Sequence, residues 1–290
     1  MEELSHQTYP TGALYVVATP IGNIGDITLR ALYVLGLVEC IACEDTRNTA
    51  HLLNRYGISK PLIAAHQHNE LQVAETLIAQ LRSGQRIALV SDAGTPAISD
   101  PGARIVDAVH QAGCRVIPVP GCSAATTALS ASGLVNSSFC FVGFLPTKSQ
   151  QRETVLMSLR ALTSTLILYE APHRILETVQ ALAFLFEPTR HIIFGRELTK
   201  LFEEIHRCTL AEAVAWITEH AHRQKGEFVL LIEGASSSID PQLQEIERIL
   251  RILLTECSLK QAVSLATQIT GHKKNKLYQR ALELTHIPTP

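Results

Sequence analysis

The stretch SDAGTPAISDPG, residues 91–102, decides how this sequence is expected to fold. A short apolar run at 87–91 leads into it and predicts a buried strand, and an amphipathic pattern at 103–112 follows and predicts a helix. Gly94 and Gly102 permit backbone conformations that other residues avoid. Because open α/β sheets bind ligands at the carboxyl ends of their strands, a ligand-binding loop is predicted here. A merely structural turn is the alternative.

Two aspartates in this loop have separate predicted roles. Asp100-Pro101 predicts a helix N-cap followed by proline at the first helical position. Asp92, near the start of the loop, is a candidate acceptor of hydrogen bonds from the amine or hydroxyls of a ligand.

Before residue 120, apolar runs alternate with amphipathic segments. Strands are predicted at 13–18, 39–43, 87–91 and 115–119, and helices at 29–37, 46–55, 71–82 and 103–112. This alternation is typical of an α/β domain with a mostly parallel sheet. Two further Gly/Pro loops, 20–28 and 118–124, follow the first and fourth strands. We expect these two loops and 91–102 to meet at one edge of the sheet.

A second series of elements follows residue 120. Strands are predicted at 139–143, 165–169, 191–195, 205–209 and 227–233, and helices at 123–131, 151–162, 174–185 and 210–222. Because 191–195 and 205–209 follow each other without a helix, a mixed sheet with antiparallel pairs is predicted.

The last part of the chain has a different character. The small polar residues at 235–240 predict a linker, and helices are predicted at 242–255, 258–269 and 273–284. The predicted architecture is an N-terminal α/β domain at 1–120, a second α/β domain at 121–236 and a helix-turn-helix-like unit at 241–290.

Net charge and missing motifs argue against several functional classes of protein. In 290 residues the net charge is −2, which argues against a protein coated in nucleic-acid-binding charge but allows a local basic patch. Neither the phosphate loop G-x-x-x-x-G-K-[ST] nor the dinucleotide fingerprint G-x-G-x-x-G is present, so an NAD enzyme is not expected.

No metal site is predicted. The odd number of cysteines, seven, fits reduced thiols. Cys40 and Cys43 form a single C-x-x-C on a predicted buried strand, which favours buried thiols over zinc. The pairs His66/His68 and His220/His222 lack an obvious third ligand.

No membrane segment is predicted either. The N-terminus lacks the basic start and apolar stretch of a signal peptide, and the apolar runs are too short to cross a bilayer. A soluble cytoplasmic protein is therefore expected.

Five motifs in order carry a family resemblance. They are VATPIGN (17–23), CEDTRNT (43–49), SDAGTPAISDPG (91–102), PVPGCSA (118–124) and EFVLLIEG (227–234). Together they resemble the tetrapyrrole methylase superfamily over roughly residues 12–285. In relatives that methylate a macrocycle the loop tends to read G-D-P where this chain has Ser91-Asp92-Ala93, and the segment 43–49 is typical of the RNA-methylating branch.

The resemblance implies a two-domain α/β fold that binds S-adenosylmethionine between its domains, and a homodimer. It implies methylation of the ribose 2′-hydroxyl of a cytidine in the 16S rRNA of the small ribosomal subunit. At the positions that match the family's motifs, the resemblance implies that the cofactor-binding residues are Pro20, Asp92, Gly94, Thr95, Ser123 and Ala124. Tyr169 and Leu201 are placed by their position in the second domain.

Methyl transfer to a ribose hydroxyl needs an aligned nucleophile and a base or cation to help remove its proton. Candidate catalytic residues are Arg47, Arg196, Glu197 and Lys200. Glu197 has a structural salt bridge as its alternative, and Asp45, beside Arg47, is equally a candidate helix N-cap.

His173 and Arg174, after the strand at 165–169, are candidate RNA contacts. His173 is also a weak candidate base, with a plain surface or capping residue as the alternative. We expect Arg47, Arg174, Arg196 and Lys200 to gather around the mouth of the cleft.

Basic side chains in the last unit are candidate RNA contacts. Residues 241–290 carry seven lysines and arginines against four glutamates. Lys273, Lys274 and Lys276 are therefore predicted to bind RNA phosphates. A small helical cap with solvated lysines is the alternative.

Two other functions stay open at this stage. One is methylation of a tetrapyrrole carbon in corrin or sirohaem synthesis, and the other is a non-catalytic RNA-binding factor that kept the fold. The basic unit favours RNA over a macrocycle, and the intact loops favour an enzyme.

Overall fold

The computed structural model describes Leu4 and residues 6–136, 138–236 and 241–285. By their contacts the residues form two units, Met1–Gly234 and Ala235–Pro290. Part of the predicted linker, 237–240, and the end of the predicted last unit, 286–290, lie outside the described residues.

The first sheet is parallel and has the strand order β3-β2-β4-β1-β5. Its strands are β1 (Ala13–Val17), β2 (Cys40–Cys43), β3 (Leu62–Ala64), β4 (Ile87–Val90) and β5 (Arg115–Val119). Its helices are α1 (Leu29–Leu37), α2 (Thr46–Arg55), α3 (Glu70–Arg82) and α4 (Ala103–Gln111). The predicted parallel sheet with its alternating helices is confirmed, with β3 as a strand that the sequence pattern did not predict.

Alternate residues of each strand enter two cores. Along β1, Tyr15 packs with α1 and α2 on one face, whereas Leu14 packs with α3 and α4 on the other. Because both faces are covered by helices, the strands are mostly apolar, as parallel strands are. The carboxyl ends of the adjacent strands β4, β1 and β5 therefore stay free to carry the three Gly/Pro loops.

The second sheet is mixed and has the order β6-β7-β10-β8-β9. Its strands are β6 (Phe139–Phe144), β7 (Thr165–Glu170), β8 (His191–Arg196), β9 (Glu204–Thr209) and β10 (Phe228–Ile232). Its helices are α5 (Ala124–Ala131), α6 (Ser149–Leu159), α7 (Ile175–Leu185) and α8 (Leu210–Glu219). β8 and β9 pair antiparallel, as their direct succession predicted.

The predicted boundary at residue 120 falls between β5 and α5, where the chain passes from one sheet to the other. Both sheets belong to the unit Met1–Gly234. The boundary thus separates two sheets within one unit, and the division into two domains stays a prediction.

The second unit contains α9 (Pro241–Glu256), α10 (Leu259–Thr270) and α11 (Lys274–Thr285). Ser258 and Gln261 form a capping box at the start of α10, and Gly271 ends that helix with a φ of +69°, as a left-handed C-cap does. Apolar residues of all these helices share one core, which includes Leu250, Val263 and Leu277.

Candidate active site

The loop 91–102 leaves β4 and crosses the end of β1. Thr19 and Gly94 exchange two backbone hydrogen bonds, with N···O distances of 2.8 and 3.0 Å. The Thr19 hydroxyl donates to the Ser91 carbonyl over 3.1 Å. Gly94 makes this approach with a φ of +78°, in the left-handed region that favours glycine. The loops after β1 and β4 are thus joined through their backbones.

The third loop, 118–124, packs against the other two. The Thr95 hydroxyl donates to the Cys122 carbonyl over 3.0 Å. A side chain at Gly121 would place its Cβ 2.9 Å from the Cβ of Ala18, so only glycine fits there. The predicted convergence of the three loops is confirmed.

A cavity of about 330 Å³ lies between these loops and the strand ends of the second sheet. The loops line it with Ile21, Ala93, Gly94, Thr95, Ile98, Asp100, Ser123 and Ala124. The second sheet and its connections line it with Phe144, Tyr169, Glu170, Ala171, Pro172, Gly195, Leu198, Lys200, Glu227, Phe228 and Val229. A largely apolar cavity with a few convergent polar groups is the usual form of a small-ligand site.

Asp100 is an acidic group in the wall of this cavity. Burial raises its pKa to about 6, and the nearby carboxylates of Glu44 and Asp92 act in the same direction, against a hydrogen bond with Ser91. None of these groups is a cation. Asp100 therefore changes its protonation state close to neutral pH.

Asp100 is not the helix N-cap that the sequence predicted. α4 is capped by Gly102, with a φ of +130°, and the Gly102 N–H donates to the Glu70 carboxylate over 2.6 Å. Glu70 comes from α3 and is buried. The Glu70 carboxylate thus accepts the hydrogen bond that a local N-cap side chain would accept. Asp100 lies in the cavity wall instead.

Tyr169, at the end of β7, forms the opposite wall. Its hydroxyl accepts a hydrogen bond from the Ala125 N–H over 3.2 Å, and burial raises its pKa. Its ring meets those of Phe141 and Phe144 edge to face, with centroid distances of 5.1 and 5.7 Å. Tyr169 is therefore a neutral phenol in a fixed orientation.

Lys200 carries positive charge to the cavity. Its Nζ lies 2.8 Å from a carboxylate oxygen of Glu197 and 2.8 Å from one of Glu227. Burial alone lowers the pKa of Lys200, but the hydrogen bonds and charges of these two carboxylates raise it overall. Lys200 is therefore a cation at neutral pH and does not act as a base.

The turn that holds Lys200 has an unusual backbone. Glu197 and Thr199 have φ values of +50° and +67°, a conformation that costs energy and recurs at functional sites. A side chain at Gly226 would place its Cβ 2.5 Å from the Cγ of Glu197. Glu197 is thus packed tightly, and the salt bridge weighed as its alternative role is present.

Two regions of the chain match known family models. Residues 13–214 match the Tetrapyrrole (Corrin/Porphyrin) Methylases, and residues 240–285 match the RsmI C-terminal HTH domain. The chain belongs to the tetrapyrrole methylase family. Membership confirms the family predicted from the five motifs and, at the level of the family, the predicted cofactor S-adenosylmethionine.

Relatives align with the methylase almost from end to end. Ribosomal RNA small subunit methyltransferase I of Escherichia coli O157:H7 is 49% identical over 94% of this chain and 95% of its own length. The protein of the same name from Vibrio cholerae is 50% identical over 96% and 98%. The predicted branch of the family is thereby confirmed.

Solved structures with this fold are more distant. Diphthine synthase superposes with a TM-score of 0.60 at 16% identity, covering 77% of this chain and 90% of that one. Uroporphyrin-III-C-methyltransferase of Thermus thermophilus has a TM-score of 0.54 at 21% identity, covering 77% and 94%. At these identities the likeness shows the fold alone.

The predicted cofactor residues of the methylase divide into two groups. Five line the cavity, namely Gly94, Thr95, Ser123, Ala124 and Tyr169. Pro20, Asp92 and Leu201 are not among the lining residues. The Asp92 carboxylate accepts from the Asp45 N–H over 3.2 Å and from the Asn48 amide over 2.7 Å. Leu201 is 89% exposed, beside Lys200 in sequence.

The predicted cluster of cations at the cleft mouth is not assembled. Arg196 is buried and pairs with Glu204 over 3.0 Å. Arg174 is mostly buried, pairs with Glu170 and donates to the Leu145 carbonyl over 2.7 Å. Both arginines thus hold protein segments together, and of the predicted cations only Lys200 is among the cavity-lining residues of the described chain.

The remaining predicted contacts lie on the surface. The Arg47 side chain is 89% exposed and pairs with Asp45 over 2.7 Å. Asp45 caps α2 by accepting from the Arg47 N–H, which confirms the alternative given for it. His173 is exposed, and so are Lys273, Lys274 and Lys276 on the second unit.

Sequence reasoning missed several lining residues, above all Ile98, Asp100, Phe144 and Glu227. Ile98 and Asp100 lie in the loop 91–102, and the predicted N-cap role of Asp100 drew attention away from the cavity. Phe144 ends β6 and lies outside the quoted motifs, whereas Glu227 begins the motif at 227–234 and directly precedes β10.

Cys40 and Cys43 are buried in β2 as free thiols. No cluster of three or more His, Cys, Asp or Glu side chains that could hold a metal ion occurs in the described part of the chain. No helix there has the length and apolar character needed to cross a membrane.

Proposed function

We propose that this methylase transfers the methyl group of S-adenosylmethionine to the ribose 2′-hydroxyl of a cytidine in the 16S rRNA of the small ribosomal subunit. The observation that carries the proposal is the 49% identity to a ribosomal RNA small subunit methyltransferase I across 94% of the chain. That alignment covers nearly all of the chain, including the cavity-forming sheets, so the proposal does not rest on fold alone.

The cavity residues suit this cofactor. When bound, S-adenosylmethionine supplies a methyl group activated by a positively charged sulfonium. Asp100 offers a carboxylate in the cavity wall, close to the carboxylates of Glu44 and Asp92. The apolar walls, including Ile21 and Leu198, keep water away from the site. Gly94, Thr95, Ser123, Ala124 and Tyr169 would hold the cofactor.

Lys200 is the proposed catalytic cation. It stabilises negative charge on the hydroxyl oxygen as the proton leaves, as preorganised positive groups do. Glu197 fixes the Lys200 ammonium through their 2.8 Å contact and is therefore a positioning residue. Arg196 supports the same turn by donating to the Lys225 carbonyl over 3.3 Å.

Asp100 is the proposed proton acceptor. It lies in the cavity wall, and its pKa of about 6 leaves most of it ionised at neutral pH. A general base works best when its pKa is near the working pH.

RNA contacts are proposed at exposed basic groups. Arg47 and His173 lie on the first unit, and Lys273, Lys274 and Lys276 on the second. Such groups bind phosphates without reading sequence. The homodimer implied by the family resemblance is proposed as well, and analytical ultracentrifugation of the purified chain tests it.

The product tests the proposed chemistry. Small subunits that lack the modification are incubated with the methylase and labelled S-adenosylmethionine, and the rRNA is digested to nucleosides. The label is expected in 2′-O-methylcytidine. Label in a base-methylated nucleoside would contradict ribose methylation, and a reaction without the methylase serves as the control for contaminating activity.

A further inference from the structure

Phe144 is an exposed aromatic residue at the edge of the cavity. It ends β6, lines the cavity and is 54% exposed. The strand contains a bulge between Phe141 and Gly143, and Gly143 has a φ of +72°. Bulges beside active sites redirect the side chains that follow them. The bulge therefore sets where Phe144 lies relative to the cavity.

Ile98, in the loop 91–102, is exposed at the same cavity. It is 45% exposed, and its neighbours Ala97 and Ser99 have φ values of +68° and +70°. Positive φ at non-glycine residues costs energy and marks functional segments. A Cβ at Gly143 would lie 3.4 Å from the Ser99 hydroxyl, so the loop carrying Ile98 abuts the bulge that precedes Phe144.

The ring of Phe144 is supported from behind. Tyr169 meets it edge to face at 5.7 Å and is itself fixed by its hydrogen bond from Ala125. An aromatic ring that is held in place and left open on one side loses little entropy when a planar group stacks on it.

We propose that Phe144 and Ile98 form the seat for the nucleobase of the target nucleotide, with the base stacked on Phe144. This inference rests on the proposed function and names the residues that position its substrate. Unstacked bases of single-stranded RNA are recognised by stacking on aromatic side chains.

The surroundings of this pair favour a nucleobase as the occupant. Phe144 and Ile98 border the same cavity as the proposed methyl-transfer groups Lys200 and Asp100. A nucleotide whose base stacks on Phe144 can therefore extend its ribose into the cavity that contains those groups.

The test compares matched phenylalanines on one strand. Phe139, at the other end of β6, is 53% exposed and does not line the cavity. Phe144→Ala, Phe144→Trp and Phe139→Ala are assayed for methylation of small subunits, for S-adenosylmethionine affinity by calorimetry and for melting temperature. Ultraviolet cross-linking of wild type to rRNA, followed by mass spectrometry, identifies the peptide that carries a nucleotide.

Phe144→Ala is expected to lower kcat/KM about tenfold or more, as loss of one base stack does, with cofactor affinity and melting temperature nearly unchanged. Phe144→Trp and Phe139→Ala are expected to stay within about threefold of wild type, and the cross-linked peptide is expected to contain Phe144.

Equal methylation by wild type and Phe144→Ala would overturn the nucleobase seat and leave the proposed function standing. A parallel loss of cofactor affinity in Phe144→Ala would overturn it too, because the ring would then serve the cofactor. Absence of rRNA methylation by wild type would overturn the proposed function itself.

Discussion

Thr19 and Gly94 exchange two backbone hydrogen bonds, 2.8 Å from Thr19 N to Gly94 O and 3.0 Å from Gly94 N to Thr19 O. This isolated bridge ties the loop after β1 to the loop after β4. The wall of the cavity is therefore built from backbone, and its shape depends on the φ of +78° at Gly94.

Gly94→Ala is expected to weaken binding of S-adenosylmethionine about tenfold or more, because a side chain strains the left-handed conformation that shapes the wall. The same strain lowers the free energy of unfolding by about 1–2 kcal/mol. Calorimetric titration and chemical denaturation measure the two effects.

Gly57→Ala is the matched control. Gly57 has a φ of +68°, and a Cβ there meets nothing within 4 Å. It should lose similar stability while its cofactor affinity stays at the wild-type value. Equal cofactor affinity in the two variants would show that the loop geometry at Gly94 does not shape the binding site.

Lys200→Met keeps the length of the side chain and removes its charge. We expect kcat for rRNA methylation to fall about a hundredfold, the scale of losing one preorganised charge-stabilising group. Lys225→Met removes an exposed lysine close to the same turn and should leave kcat unchanged. If Lys200→Met retained more than about half of wild-type kcat, Lys200 would have no catalytic role.

The raised pKa of Asp100 predicts that its contribution to the free energy of unfolding depends on pH. Its pKa is about 6 in the folded protein against an ordinary value of 3.8, so the folded state binds the proton more strongly than the unfolded state. The contribution of Asp100 is therefore more favourable below about pH 4 and is lost as the pH rises through 6.

Asp100→Asn should consequently raise the melting temperature relative to wild type at pH 8, and the gain should shrink at pH 4.5. Asp107→Asn, at an exposed aspartate in α4, is measured in parallel as the control for removing a carboxylate from this part of the chain. Differential scanning fluorimetry across this range checks both, and a gain that is constant with pH would mean that Asp100 titrates normally.

The basic residues of the second unit predict salt-dependent binding. Replacing Lys273, Lys274 and Lys276 together with glutamine should weaken affinity for small subunits and flatten its dependence on salt by up to about 2 in log–log slope. Deleting residues 241–290 should likewise weaken the affinity for small subunits and flatten its dependence on salt. Filter binding between low and moderate salt measures the slope.

Arg248→Gln is the control for that experiment, because Arg248 is exposed but already neutralised by two hydrogen bonds with Glu245, at 2.7 and 2.8 Å. A triple lysine variant with wild-type affinity and slope would assign the second unit to a role other than RNA docking.

Helices with local signals were predictable from sequence. The bounds of α1 and α2 agree with their predictions, because Thr28 caps α1 by accepting from the Ala31 N–H at 3.1 Å and Asp45 caps α2 at 2.8 Å. By contrast, β3 has only the residues Leu62–Ala64 and pairs with β2. A run this short carries no periodic pattern.

Site residues with distant partners were not predictable. The cap at Gly102 depends on Glu70, which is 32 residues away, and the partners that bury Arg174 lie on another segment. The Gly/Pro loops revealed where a ligand binds because strand ends meet at one edge. Which charged side chains reach that edge is set by tertiary packing.

The most direct measurement of the proposed function follows transfer of a labelled methyl group to three acceptors in parallel. These are small ribosomal subunits lacking the modification, naked 16S rRNA and a uroporphyrinogen-type macrocycle. We predict label in rRNA, none in the macrocycle, and an initial rate of rRNA labelling about a hundredfold lower with Lys200→Met. Label in the macrocycle alone, or in no acceptor, would contradict an rRNA methyltransferase.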